Sequence, residues 1–139
     1  MADEPLPLLD TNVIIRLLLR DHERYSPASR RFFERLEAGE ERAELSHLSM
    51  AECAYVLASA AGGRRSRVEI AELLGALLEY RFLVVADRAI VRAALDIFAG
   101  GSCDFADAYL AAHARQASRP VISFDRDFDR IEGVERREP

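Results

Sequence analysis

The sequence predicts an α/β domain built on a parallel sheet with helices on both faces. Three observations carry that prediction. Short apolar runs at Leu8-Leu9, Phe82-Leu83-Val84-Val85 and Pro120-Val121-Ile122-Ser123 have the length of buried strands. Longer segments with helical spacing separate them, and strands alternating with helices call for parallel crossovers. The chain of 139 residues is half apolar, which suits one domain with a real core, so residues 1–139 are expected to form a single unit.

The elements follow in order. Leu8-Leu9 should be a buried strand that stops at Asp10, and Asn12 to Arg20 a largely apolar helix. Ser26-Pro27 reads as an N-cap with proline at the first helical position, opening a helix through Phe32, Phe33 and Leu36 that ends at Gly39. Ala43 to Ser46 is expected to be a short strand. Ser49 to Ala60 should be helical and stopped by Gly62-Gly63, and a further helix carries Val68, Leu73, Leu74, Leu77 and Leu78. After the strand at 82–85, Asp87 is expected to cap a helix ending at Gly100-Gly101. Asp104 opens the helix from Phe105 to Ala117, and Val134-Glu135-Arg136 reads as an edge strand after the last buried run.

Composition excludes several classes. The net charge is −5, so a general basic coat for nucleic acid is absent and any such contact must be a local patch. Arg64, Arg65 and Arg67 form the best candidate. Cys53 and Cys103 make neither a disulfide framework nor zinc spacing, and are read as small buried side chains in a reducing cytoplasm. The start Met1-Ala2-Asp3-Glu4-Pro5 lacks the positive charge of a signal peptide, and no apolar run reaches the roughly 20 residues that cross a bilayer. A cytoplasmic protein with no membrane contact is expected.

The acids hold the functional information. Asp10, Glu52, Asp104, Asp107, Asp125 and Asp127 stand where strands end or helices begin. Each has a structural alternative. Asp10 or Thr11 can cap the next helix. Ser49-Met50-Ala51-Glu52 fits the S-x-x-E capping box, and Asp104 to Asp107 a looser version of it. Asp125 can form an Asx-turn. Taken together they fall at one edge, because parallel strands end on the same side of a sheet. Carboxylates crowded there repel, and either some stay protonated or a cation compensates. Oxygen donors without clustered imidazoles suit Mg²⁺ or Mn²⁺ rather than zinc, and such a site supports hydrolysis of phosphodiesters. Neither G-x-G-x-x-G, Walker A nor G-x-S-x-G occurs. His22, His47 and His113 are scattered, and Ser102-Cys103 beside Asp104 has no identifiable base.

Four stretches, in order, resemble the motifs of PIN domains: Leu9-Asp10-Thr11-Asn12-Val13, Ser49 to Leu57 around Glu52, Cys103 to Ala112, and Ser123-Phe124-Asp125-Arg126-Asp127. The length is similar to that of VapC-type bacterial toxin ribonucleases. The resemblance implies a PIN-like three-layer α/β/α sandwich with a short central parallel sheet, and an endoribonuclease dependent on Mg²⁺ or Mn²⁺. It implies Asp10, Glu52, Asp107 and Asp125 as the catalytic acids, with Asp10 and Asp107 holding metal. Asp104, Asp127, Thr11, Asn12 and Ser123 would be accessory, and Asp127 could exchange with Asp125. Implied partners are RNA, a VapB-like antitoxin and a second copy of the chain. The alternatives are a PIN nuclease of RNA processing and a non-catalytic PIN-like interaction module. A haloacid-dehalogenase-type phosphatase would need an acid where Asn12 stands, and a lysine, which this chain lacks.

Overall fold

A computed structural model describes residues 4–101 and 103–139; the acidic start at residues 1–3 and Ser102, one half of the Ser102-Cys103 pair, lie outside the described residues. Six helices dominate: α1 (Thr11–Leu19), α2 (Tyr25–Glu37), α3 (His47–Ala58), α4 (Arg67–Leu77), α5 (Arg88–Ala99) and α6 (Phe105–Ala117). The strands are two residues each: β1 (Ala43–Glu44), β2 (Leu83–Val84), β3 (Val121–Ile122) and β4 (Arg136–Arg137). The fold is a small α/β sandwich, as expected, with less strand and more helix than the apolar runs suggest.

All pairings are parallel. Ala43 stands opposite Leu83 and Glu44 opposite Val84. The expected first strand is reduced to a bridge between Leu8 and Glu44, with the Leu9 N–H donating to the Glu44 carbonyl at 2.9 Å and the Glu44 N–H to the Pro7 carbonyl at 2.9 Å. In the second pair, Val121 faces Arg136 and Ile122 faces Arg137. The final strand thus lies one to two residues beyond the Val134–Arg136 run.

Helix starts explain the boundaries. Asp10 caps α1, its carboxylate accepting from the Asn12 N–H at 3.3 Å. α3 begins earlier than Ser49: its cap is Ser46, whose Oγ accepts from the Ser49 N–H at 3.1 Å. The S-x-x-E arrangement is instead used at Ser66, which caps α4 through the Glu69 N–H. Ser26 does not cap α2. It lies inside the first turn, where its Oγ accepts from the His22 N–H at 3.1 Å. The His22 Nδ1 takes over the capping role by accepting from the N–H groups of Arg24 and Tyr25. Asp87 precedes α5 in a left-handed conformation (φ 49°) and makes no side-chain cap bond, contrary to expectation.

Ile14, Leu36, Met50, Leu57, Ile70, Leu74, Leu83 and Val91 are fully buried and form the centre of one contiguous core. Cys53 and Cys103 are buried in it, matching the sequence reading. Among the described residues no helix is long and apolar enough to cross a membrane. α3 packs against both α1 and α6, so the helix carrying Glu52 lies between those that follow Asp10 and Asp104.

Candidate metal and nuclease site

Chain direction gathers the acids. Leu8, β1 and β2 run parallel, so Asp10, the start of α3 and Asp87 emerge at one edge. α6 leads through a short link into β3 and packs on it, running opposite to it; its N-terminus is therefore level with the end of β3, where Asp125 stands.

Two groups of carboxylates result. In the first, the buried Thr11 hydroxyl donates to Glu52 Oε2 at 2.9 Å, joining the start of α1 to α3 across 41 residues of sequence. Glu52 is exposed, and with Ser46 as the cap it has no part in starting its helix. The Cys53 thiol is pushed up to about 12, first by burial, then by the charges of Glu52 and Asp10. Both carboxylates therefore act on one buried atom.

In the second group, Asp104 caps α6 by accepting from the Asp107 N–H at 2.9 Å. Asp125 caps a short 3-10 helix, Arg126–Arg130, by accepting from the Asp127 N–H at 2.9 Å, and its own N–H donates to the Ser123 Oγ at 2.9 Å. The Asp107 carboxyl is raised above its ordinary value by burial, then by the charges of Asp104, Asp125 and Asp127 in that order. Asp107 is half-buried and gains no hydrogen bond to offset that crowding among the described residues. Asp125 bears on it more strongly than Asp127, which is also drawn 3.8 Å from Arg130.

The donors are all hard oxygens, the chemistry of Mg²⁺ and Mn²⁺ sites. As the side chains lie, no three carboxylate, imidazole or thiol groups among the described residues stand close enough to enclose a metal ion. One or two carboxylates with waters and substrate phosphate are enough for Mg²⁺, so the donor set fits such an ion without an all-protein cage.

The arginine trio does not form a patch. Arg64 is exposed, in a left-handed conformation (φ 50°). Arg65 is partly buried, its Nε without a hydrogen-bond partner, and its guanidinium lies 3.9 Å from Glu69. Arg67 turns into the fold: its guanidinium lies 4.8 Å over the Phe98 ring and donates to the carbonyls of Phe98 and Cys103. The sequence contains no sign of this, because a loop arginine and a tethering arginine look alike. His47 is also more than a scattered histidine. At the first position of α3, its Nε2 lies 2.7 Å from the Ala86 carbonyl and its ring centre lies 4.6 Å from that of Tyr109, two residues beyond Asp107, with the planes tilted by 45°.

The small α/β fold carries two groups of carboxylates, Asp10 with Glu52 and Asp107 with Asp104, Asp125 and Asp127. The PIN domain family profile matches residues 8–134, and the chain belongs to that family. PIN domains are generally nucleases and typically bind divalent metal ions. No curated protein shows a significant match to the chain.

Proposed function

We propose that the protein is a metal-dependent endoribonuclease that hydrolyses RNA phosphodiester bonds, acting as the toxin of a VapBC-type toxin–antitoxin pair. The observation that supports the reading is the crowding of Asp107 by Asp104, Asp125 and Asp127, which raises its carboxyl above the ordinary value. Like charges held close together cost a fold stability, and functional sites are where such crowding is typically found.

Asp10 and Asp107 would hold a Mg²⁺ or Mn²⁺ ion, with Glu52 and Asp125 reaching it through water or holding a second ion. Such an ion supplies charge neutralisation at phosphate and a more acidic water. The chain's own part is orientation. Asp10, Asp104 and Asp125 each tie an oxygen to a backbone N–H, and Thr11 holds Glu52. Asn12 and Ser123 are accessory through their contacts with Asp10 and Asp125. Arg64 is the one member of the trio left to meet backbone phosphate.

The toxin role, the VapB-like antitoxin and the homodimer rest on the four-motif resemblance and the chain length, and a cytoplasmic location on the composition and hydropathy of the chain. A small DNA-binding protein encoded directly upstream would support the pair; a PIN nuclease of RNA processing is the alternative.

The test is incubation with total RNA in Mg²⁺, Mn²⁺ or chelator, beside Asp10→Asn, with mapping of cut ends. We expect metal-dependent cuts that the variant lacks. Asparagine is as good a cap as aspartate, so the variant keeps its fold. Full cleavage by Asp10→Asn, or none by the native chain with either metal, sinks the proposal.

A further inference from the structure

Tyr55 is one of several large apolar side chains that stand open on this surface, with Leu48 on the same helix and Phe124 near Asp125. Tyr55 stands three residues after Glu52 on α3, so both side chains leave the same face of the helix. Its side chain is 78% exposed and makes no hydrogen bond or ring contact among the described residues.

Between α3 and the start of α6 lies a cavity of about 210 Å³ whose walls include Ala51, Ala54, Tyr55, Arg67, Asp104 and Phe105. It is smaller than the roughly 300–1,000 Å³ of pockets that take whole drug-sized ligands, and suits one flat ring. The two alanines keep the floor low. Arg67 cannot swing away, because the carbonyls of Phe98 and Cys103 and the Phe98 ring hold it. The lining therefore combines the aromatic rings of Tyr55 and Phe105, the tethered positive charge of Arg67 and the carboxylate of Asp104.

A nucleotide has the complementary parts: a planar apolar base and a phosphate one sugar away. We propose that this slot receives a single nucleobase of single-stranded RNA, stacked on Tyr55, from a nucleotide flanking the phosphodiester presented to the acids. The proposal rests on the ribonuclease reading and adds a specificity element to it. Duplex RNA keeps its bases stacked inside and offers no free ring, so the slot selects unpaired RNA.

The experiment uses the full chain and an unpaired RNA decamer containing a mapped cut site. Stacking of one base on an aromatic side chain is typically lost on alanine substitution with about a 5- to 100-fold effect. We expect Tyr55→Ala to raise KM by about that factor with kcat nearly unchanged, and Tyr55→Phe to stay within about 2-fold of the native chain, since the face and not the hydroxyl stacks. A decamer made abasic at the flanking position should show the same loss, and combining it with Tyr55→Ala should add little. Unchanged KM in Tyr55→Ala overturns the slot while leaving the nuclease reading intact. If the native chain does not cut, fluorescence anisotropy of the labelled decamer decides separately. Tighter binding by the native chain than by Tyr55→Ala keeps the slot and sinks only the nuclease reading; equal binding sinks both. Sedimentation of both proteins covers the remaining possibility: if the loss disappears at concentrations that restore a dimer, Tyr55 is a subunit contact and the proposal fails.

Discussion

The Thr11 hydroxyl and the Glu52 carboxylate meet at 2.9 Å, and this bond ties the first acidic stretch to the third helix. Thr11 is 5% exposed whereas Glu52 is open to solvent, so a buried donor holds an exposed acceptor. The bond's value therefore lies in aiming Glu52 more than in holding the fold.

Thr11→Val should accordingly separate aim from stability. The lost bond costs about 0.5–1.5 kcal/mol, and water can still solvate the released carboxylate. Urea unfolding should show that small decrease while RNA cleavage falls more than about tenfold, since displaced active-site groups cost far more in rate than in stability. Thr11→Ser, which keeps the donor, should restore most of the rate. Equal activity in Thr11→Val would remove Glu52 orientation from the mechanism.

Asp107 predicts how stability depends on pH. Its folded carboxyl is raised above the ordinary value of 3.8. The folded state therefore binds the proton more tightly than the unfolded chain does. Its favourable contribution is complete below 3.8 and is lost as pH rises through the raised value. Asp107→Asn should thus melt above the native protein at neutral pH in chelator, and the gap should close on acidification below that range. A gap of constant size across pH would show that crowding is not its cause.

Metal addition should reverse the order. A cation that binds only the folded chain stabilises by mass action, about 2.7 kcal/mol at a hundredfold excess over Kd. Mg²⁺ or Mn²⁺ should raise the Tm of the native chain, and raise that of Asp107→Asn much less. Identical shifts in the two would place the ion elsewhere.

Arg64 and Arg67 should fail in different ways. Arg64→Ala should leave thermal stability unchanged and lower the slope of log affinity for RNA against log salt by about 0.7, the value for one single-strand phosphate. Arg67→Ala should lower the Tm, because two backbone carbonyls lose a charged donor and Phe98 loses its cation. If Arg67→Ala melts like the native chain, its inward contacts are not structural.

Gly62 marks where the turn after α3 tolerates nothing larger. A Cβ there would lie 2.1 Å from the Val56 carbonyl oxygen, which is backbone and cannot swing aside. Gly62→Ala should destabilise by more than about 2 kcal/mol in chemical unfolding, the range of forced overpacking.

Helix existence is readable from periodicity because each helix buries a recurrent face, as Ile14, Leu57 and Leu74 illustrate. Helix starts are less readable where serines compete. Ser46 and Ser49 are both good caps, and only the path of β1 into α3 selects Ser46. Ser26-Pro27 has the right pattern for a cap, but the His22 imidazole reaches the first amides instead. Strands are overestimated because apolar runs such as Phe82–Val85 persist beyond the two residues that pair. The acids are legible because their types and order are local. Their grouping is not, since Thr11–Glu52 and the crowding of Asp107 depend on contacts far apart in sequence. Nothing local in the sequence reveals that Tyr55 lies open or that Arg67 is inward.

Three aspartates at the acidic edge, Asp10, Asp104 and Asp125, double as helix caps. Asparagine meets the capping requirement equally well and differs only in charge. At these positions the genetic code places aspartate and asparagine one base apart, so a single mutation can silence the edge without a burden on folding. Folding and charge at this edge are thus heritable apart: a descendant of this chain that has lost one of these charges would still be well folded.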